Sequence, residues 1–395
     1  MKTRLETVLT GDCLNVFKKI KDESVDLVYL DPPYFTQKKH KLKTRDGENE
    51  FIFSDEWRDI HHYIQHLKLR LIQCKRVLKS TGSLFLHCDK TAVHYLKITL
   101  DEIFNVANFQ SEIIWTYRRW SNAKKGLLNN HQSLLFYSKS ASFKFKTLYD
   151  DYSPSTNVDQ IVQLRERDKR NKSVYKKNAD GSLHLASEKR GVPLGDVWDI
   201  PYLNPKAKER VGYPTQKPIL LLERIIQLTT DEGDLVLDPY CGSGSTLVAA
   251  KLLNRSCIGV DQSAEAVKLT KMRLKNPVKS TSQLLEKGRA SYQRNDADIQ
   301  LIVTKLKATL VQRNRGIDGL ITLKNQLVPF KVVKKSSELE QAIKYLNKST
   351  QKNAYKTKAL YCDWPVDKKL IRRIEKAHQV LVFNNLQTLN KKIGI

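Results

Sequence analysis

Two consecutive prolines, Pro32 and Pro33, close the apolar run Val25-Asp26-Leu27-Val28-Tyr29-Leu30. Neither can donate to a strand ladder, so the run reads as a buried strand that stops at Asp31 and turns stiffly there. A carboxylate and the phenol of Tyr34 are thereby fixed at a strand's carboxyl end, which is where open α/β sheets bind ligands. A lone Asp-Pro is an ordinary strand stop. The whole tetrapeptide Asp31-Pro32-Pro33-Tyr34, with a second motif far downstream, points to a site instead.

That second motif follows another buried strand, Leu235 to Leu237, and reads Asp238-Pro239-Tyr240-Cys241-Gly242-Ser243-Gly244-Ser245-Thr246 before a helix. Its glycines let the backbone pass close to a ligand, and the helix amino terminus presents unpaired N–H groups. The next strand, Cys257 to Val260, ends in Asp261, 23 residues after Asp238. That is near the interval of roughly 20 at which such folds offer a carboxylate to ribose hydroxyls. An acidic Asp238 at the head of the loop would repel a pyrophosphate and suits a cationic ligand, a sulfonium carrying an amino acid and an adenosine. Upstream of the loop, Tyr213-Pro214-Thr215-Gln216-Lys217-Pro218 leads into a helix over 219–228 with an apolar stripe. Near the amino terminus, Asp12 precedes an amphipathic segment, Leu14 to Ile20, and stands equally well for a helix cap or a ligand contact.

Together these segments resemble the amino-methyltransferases of DNA, which methylate the exocyclic nitrogens of adenine or cytosine. The motif order is that of their permuted β group, and the resemblance spans roughly residues 4 to 275. It implies a Rossmann-like α/β fold, a mostly parallel seven-stranded sheet with helices on both faces, and S-adenosyl-L-methionine as cofactor. By that resemblance Asp31, Pro32, Pro33 and Tyr34 form the catalytic turn, and Tyr34 stacks on an extruded base. Asp238, Pro239, Gly242, Ser243, Gly244 and Thr246 form the cofactor loop. Asp261 holds the ribose, Thr215, Gln216, Lys217 and Pro218 enclose the methionine moiety, and Asp12 lies near the cofactor's adenine. Tyr213 stands where the family often has His. Asp at the first position of the catalytic turn leans towards adenine N6, with cytosine N4 the alternative. Methylation of protein or RNA, and a non-catalytic DNA-binding relative, are the other readings. The implied partner is double-stranded DNA and not a membrane. A cognate restriction endonuclease and a homodimer are further candidates.

Charge agrees with a polyanionic partner: 69 Lys and Arg stand against 42 Asp and Glu, a formal net charge of +27. Many of the cations lie between the two motif halves. Arg118, Arg119, Trp120, Asn122, Lys124, Lys125 and Asn130 lie between two aromatic, β-branched runs, Phe109 to Tyr117 and Ser133 to Tyr137, that read as an antiparallel pair. From Ser138 to about Asp196 periodicity fades, and Arg165, Arg167, Lys169, Arg170, Lys172, Lys176, Lys177, Lys189 and Arg190 dominate. This reads as a target-recognition insert. Phe35 to Asp55, with a turn at Asp46-Gly47, reads as a long loop acting as a lid or DNA contact. His62 and His66, one helical turn apart, read as a solvated face. The six cysteines stand singly, without metal or disulfide spacing, and read as core residues of a cytoplasmic protein. No amino-terminal run resembles a signal peptide, and none reaches the roughly 18 apolar residues of a membrane span.

The domain reading is therefore a catalytic half over 1–137, a target-recognition insert over 138–200 and a cofactor-binding half over 201–277. A linker over 278–297 and a second small α/β accessory domain over 298–395 follow. In the last, Ser337 and Glu340 read as a capping box, and Ile321 to Val333 as a hairpin turning at Lys324-Asn325. Asp318 followed by Val328 to Lys334 resembles in outline the restriction-endonuclease-like core, where an Asp precedes a strand bearing acid-x-Lys. Val332 and Val333 occupy the acid positions before Lys334 and Lys335, so no nuclease activity is expected. DNA holding and protein contact remain as roles for this domain.

Overall fold

The computed structural model describes residues 5–43, 50–117, 126–152, 164–182, 184, 191–204, 206–213, 215–282, 284–285, 296–312, 314–323, 326–351, 355 and 357–393. The chain divides into two compact units, 1–288 and 289–395.

The first unit carries strands β1 (Glu6–Thr10), β2 (Val25–Leu30), β3 (Lys39–Lys43), β4 (Glu50–Ser54), β5 (Leu78–Cys88), β6 (Phe109–Thr116) and β7 (His131–Ser138). After them come β8 (Tyr149–Asp150), β9 (Arg165–Arg167), β10 (Ser173–Tyr175), β11 (Val192–Pro193), β12 (Val197–Asp199), β13 (Leu235–Asp238) and β14 (Ser256–Asp261). Its helices are α1 (Cys13–Phe17), α2 (Ile60–Val77), α3 (Val93–Phe104), α4 (Ile219–Thr229), α5 (Ser245–Leu252) and α6 (Ala264–Lys275). One sheet organises them in the order β1-β14-β13-β2-β5-β7-β6-β12, and β7 alone runs against its neighbours.

Strand β2 lies at the centre with all six residues buried. Its side chains alternate between two cores as the two-residue period of a strand requires. Leu27 and Tyr29 join α4 and α5 on one face, while Val28 and Leu30 join α1, α2 and α3 on the other. From β2 the chain winds outward to β5, and from neighbouring β13 it winds the opposite way to β14. The gap between β2 and β13 is therefore a topological switch point, and a crevice opens there at the strands' carboxyl ends.

The sheet has eight strands rather than seven. The end of the expected insert, β12, pairs in parallel with β6, burying Trp198 beside Trp115, whose indole N–H donates to the Ile200 carbonyl at 2.7 Å. Three residues are too few to show periodicity, which is why this strand escapes a sequence reading. Strand β5 begins at Leu78, directly after α2, and carries Thr81 and Gly82 within it. The loop expected over 35–55 contains an antiparallel hairpin, β3 with β4; Asp46-Gly47 lies outside the described residues. In the basic insert β9 and β10 form a small hairpin and β8 pairs antiparallel with β11; Arg165, Arg167, Lys169, Arg170, Lys172, Lys176 and Lys177, on and around the hairpin, are exposed. Arg118, Arg119, Trp120, Asn122, Lys124, Lys125, Lys189 and Arg190 lie outside the described residues. The segment read as a linker starts docked: Ser280 exchanges hydrogen bonds with the buried Glu209 at 2.8 and 3.1 Å. All six cysteines are buried and free. Among the described residues no helix is long and apolar enough to cross a membrane.

The second unit contains α7 (Ala297–Lys305), β15 (Thr309–Leu310), β16 (Gly319–Leu323), β17 (Gln326–Val333), α8 (Leu339–Thr350), β18 (Ala359–Cys362), α9 (Lys368–His378), β19 (Leu381–Phe383) and α10 (Leu386–Ile393). An antiparallel meander, β15-β16-β17, continues into β18 and β19 in parallel. Helices α8 and α9 cover one face, and α7 and α10 the other. Helix α8 starts at Leu339 without a side-chain cap, because a short 3-10 turn over 336–338 takes up Ser337, the expected cap, while Glu340 falls in the helix's first turn. The lysine that meets Asp318 is Lys331, at 3.0 Å, not Lys334 or Lys335, and Pro329 stands two residues before it. Lys334 instead pairs with Asp296 and Asp298 at 2.8 Å each.

Replacing Trp198 by Ala should remove about 3–5 kcal/mol of stability, because a fully packed aromatic leaves a cavity that the sheet edge cannot close. Denaturant unfolding measures this; a loss under about 1 kcal/mol would mean that β12 is no part of the core.

Candidate active site

Three neighbouring strands end in acidic residues. Asp261 closes β14, Asp238 closes β13 and Asp31 follows β2. All three line one cavity of about 590 Å³, together with Gly11, Cys13, Pro32, Pro33, Tyr34, Tyr213, Thr215, Gln216, Lys217, Pro239, Gly242, Ser243 and Thr246. The two segments that the sequence separates by some two hundred residues thus face one space.

Asp31 is gripped from both sides. Its Oδ1 accepts the Tyr34 hydroxyl at 2.8 Å, and its Oδ2 pairs with Lys217 Nζ, a residue of the downstream half. Burial by itself would raise the Asp31 pKa, but the Lys217 ammonium, with smaller help from His87 and the Tyr34 hydroxyl, holds it below the usual carboxylate value. Beneath it runs a buried chain in which the Tyr29 hydroxyl meets His87 Nδ1 at 2.9 Å and His87 Nε2 meets Gln132 Oε1 at 3.0 Å. Burial and the nearby Lys217 push His87 down to about 3, so it is neutral. Its one N–H then belongs on Nε2, donating to Gln132, which leaves Nδ1 to accept from Tyr29.

Tyr34 is held at both backbone groups. Its N–H donates to buried Asp55 at 3.0 Å, and its carbonyl accepts the Trp57 indole N–H at 3.1 Å. Asp55 also accepts the Thr36 hydroxyl at 2.8 Å, so the base of the β3–β4 hairpin clamps the Asp31–Tyr34 turn. Sequence reasoning misses Asp55, since an isolated acid after a short strand has no pattern.

On the other side, Asp238 is almost wholly buried. Burial and the repulsion of Asp31 and Asp261 raise its pKa to about 7 against opposing hydrogen bonds from Thr246 and the Tyr240 N–H. Asp261 accepts the Gly242 N–H at 2.8 Å and the Ser263 N–H at 2.9 Å, and burial raises it more modestly. Gly242 and Gly244 both sit at positive φ. A side chain on Gly244 would place its Cβ 2.4 Å from Thr270, and one on Gly242 would reach the Tyr213 ring at 3.0 Å. Helix α6 bolts this loop down: Thr270 donates to the Gly242 carbonyl at 2.9 Å, and buried Arg273 to the Ser243 carbonyl at 2.6 Å. Neither residue carries a sequence signal beyond its helix.

Not every expected residue faces the cavity. The Asp12 carboxylate caps α1 through the Leu14 N–H at 2.8 Å and takes a two-point contact from Arg70 at 2.8 and 3.0 Å; Gly11 and Cys13 line the space instead. Pro218 is the residue before α4, and Gly244 supports the loop from behind. Gln216 staples its own loop, donating to the Glu209 carbonyl at 2.7 Å and accepting the Val211 N–H at 3.0 Å. Thr215, β-branched, holds φ at +59°, a conformation that costs roughly 1–3 kcal/mol and collects at working sites. His66, read as solvated, is half-buried against Trp57 and lines the cavity; burial and Arg70 lower its pKa to about 4.

The family model described as "DNA methylase" matches residues 25–272. "Type II methyltransferase M.HinfI" of Haemophilus influenzae is 30% identical to this chain over 280 residues, 69% of this chain and 68% of that protein. "DNA adenine methyltransferase YhdJ" of Escherichia coli (strain K12) is 30% identical over 271 residues, 68% of this chain and 82% of that one. "Type II methyltransferase M.BglII" of Bacillus subtilis is 30% identical over 273 residues, covering 67% and 68%.

Removing the cation while keeping the burial should reverse the bias on Asp31. In Lys217→Gln its carboxyl is expected to titrate above the ordinary range, against below it in the unaltered chain. Carbon NMR of labelled aspartate follows the change, and an Asp31 signal that stays put would show that Lys217 does not control it.

Proposed function

This chain belongs to the DNA methylase family, and on that premise we propose that it transfers a methyl group from S-adenosyl-L-methionine to the exocyclic N6 of an adenine flipped out of duplex DNA. The observation that carries the reading is the single cavity into which Asp31, Asp238 and Asp261 all face. Adenine as the base is supported by the YhdJ relative, named for adenine, and by Asp at the head of the catalytic turn.

The cavity suits the cofactor chemically. Its wall is acidic where a sulfonium and an amino group would lie, and backbone without side chains forms the loop at Gly242 and Gly244. Asp238, Pro239, Gly242, Ser243 and Thr246 would hold the cofactor with Asp261 at the ribose, while Thr215, Gln216 and Lys217 enclose its amino-acid end. Asp12 contributes at one remove, through the helix it caps and the Arg70 it fixes. Bound there, S-adenosyl-L-methionine supplies a methyl group already activated by positive sulfur.

The chain's own task is to make a poor nucleophile attack. The adenine amine is weak because its lone pair is delocalised into the ring, and the protein must draw it out of conjugation and align it. Asp31 accepts one amino hydrogen, since each of its oxygens keeps a lone pair beyond its present partner, and the Pro32 carbonyl accepts the other. With a pKa below the ordinary value, Asp31 is too weak a base to remove a proton beforehand, so the proton leaves with or after methyl transfer. Tyr34, its backbone clamped by Asp55 and Trp57, offers a ring for the extruded base to stack on. The exposed cations of the insert grip phosphates. The proposal extends to the cytoplasm as the place of action and to a cognate restriction endonuclease, which the type II designation of two relatives supports.

Tritium transfer from labelled cofactor into duplex DNA tests the reaction. Asp31→Ala should lower transfer by roughly a hundredfold to a thousandfold with cofactor binding retained; label found only in protein or RNA would overturn the substrate. A second expectation follows from Asp238, which is largely protonated below about pH 7 and ionised above it. Affinity for the sulfonium cofactor should therefore rise roughly tenfold between pH 6 and pH 8, with a much smaller change for S-adenosylhomocysteine, whose sulfur carries no charge. Calorimetric titration at the two pH values reads both; equal pH dependence for the two ligands would remove Asp238 from sulfonium recognition.

A further inference from the structure

The family match ends at residue 272, and the second unit lies wholly beyond it. That unit is more basic than the rest: residues 289–395 hold 22 Lys and Arg against 8 Asp and Glu, about half of the chain's +27 on roughly a quarter of its length. Helix α9 concentrates this charge. Lys368, Lys369, Arg372, Arg373 and Lys376 are all exposed, and their spacing puts them in two adjacent rows on one face about 12 Å long.

The opposite face is taken. Ile374 is buried, and Leu370 and Ile371 pack with it against α8 and the sheet. A basic amphipathic helix often lies on a membrane or in a partner's groove, but both need a free apolar face, which α9 has already spent on its own core. Nor is the strip neutralised from within. The helix's single acid, Glu375, turns inward, accepting the Val382 N–H at 3.0 Å and pairing with Lys392. Among the described residues the five cations of the strip make no ion pair with an acid. The nuclease-like core beneath offers no competing explanation: Asp318 is satisfied by Lys331 and the Val332 N–H, and the described residues contain no group of three His, Cys, Asp or Glu able to hold a metal.

We infer that the second unit is a duplex-DNA-holding module whose α9 strip, Lys368, Lys369, Arg372, Arg373 and Lys376, lies along the phosphate backbone without reading sequence. A rigid row of cations facing a polyanion with one charge per roughly 1.7 Å of helix axis gains by releasing condensed counterions, and that gain carries no base information. The inference rests on DNA being this protein's substrate. It gives the catalytic unit a second, sequence-independent hold on the molecule it modifies.

The test is equilibrium binding of the full-length protein to a fluorescent duplex of about 30 base pairs and arbitrary sequence, between roughly 50 and 200 mM salt. The strip variant Lys368→Gln/Lys369→Gln/Arg372→Gln/Arg373→Gln should flatten the slope of log affinity against log salt by about 3 and weaken binding at least tenfold at roughly 0.1 M salt. The milder Arg372→Gln/Arg373→Gln should give about half that slope change, and melting curves verify that both fold. A control that removes equal charge from exposed lysines of the first unit, Lys18→Gln/Lys19→Gln/Lys268→Gln/Lys271→Gln, should leave the slope nearly unchanged. An unchanged slope in a folded strip variant overturns the inference, as does an equal loss in the control, which would make net charge the cause. So does strip-dependent capture of vesicles rich in phosphatidylserine while the DNA slope stays fixed. Binding needs neither cofactor nor chemistry, so a wild-type protein that binds but transfers no label would refute the proposed reaction and leave this measurement standing.

Discussion

An ion pair between Asp31 and Lys217, 186 positions apart, joins the two halves of the site. Both side chains are largely removed from water, so neither charge is affordable without the other; removing one partner of such a pair typically costs about 3–5 kcal/mol. The pair does more than hold loops together. It keeps one carboxylate ionised in a crowded acidic pocket, whereas Asp238, which has no such cation, is raised to about 7 by burial first and by the repulsion of Asp31 and Asp261 second. Opposite biases on neighbouring acids give the cavity one permanently charged acceptor and one that waits for a cation.

Rigidity around that pocket comes from hydrogen bonds that reach in from outside it. Helix α6 fixes the glycine loop through Thr270 and Arg273, the base of the β3–β4 hairpin fixes the Asp31–Tyr34 turn through Asp55, and Glu209 fixes the segment leading into α4 by accepting the Ile219 N–H. The strained backbone at Thr215 is tolerable in such a setting because the Gln216 side chain, bonded to the Glu209 carbonyl and the Val211 N–H, holds the loop on its far side. Preorganisation of this kind matters for methyl transfer, where alignment rather than bond activation is the protein's share of the work.

The two units carry their exposed cations differently. In the first, exposed arginines and lysines stand on and beside the short strands β9 and β10, outside the main sheet. In the second, cations stand on a helix whose other face is packed, so they form a fixed row. Scattered cations and a fixed row differ in what they can do: only the row presents its charge as one line for a phosphate backbone to follow.

Much of this was open to inspection before folding. Periodicity marked β2, β13 and β14, prolines marked where β2 stops, and glycines marked where the backbone had to pass close to a ligand; each is a local steric or solvation rule that needs only neighbouring residues. The reading failed where the cause is distant. The short strand β12 exists because β6 offers it an open edge, Asp12 is held by an arginine 58 residues away, and Asp55 and Arg273 matter only through the loops they touch. Chain order sets the kinds of chemistry on offer, an acid in a proline-stiffened turn and an acid ahead of a glycine loop. Which acid is charged is settled in three dimensions, because a carboxylate's ionisation depends on burial and on charges that the fold, not the chain order, brings within reach.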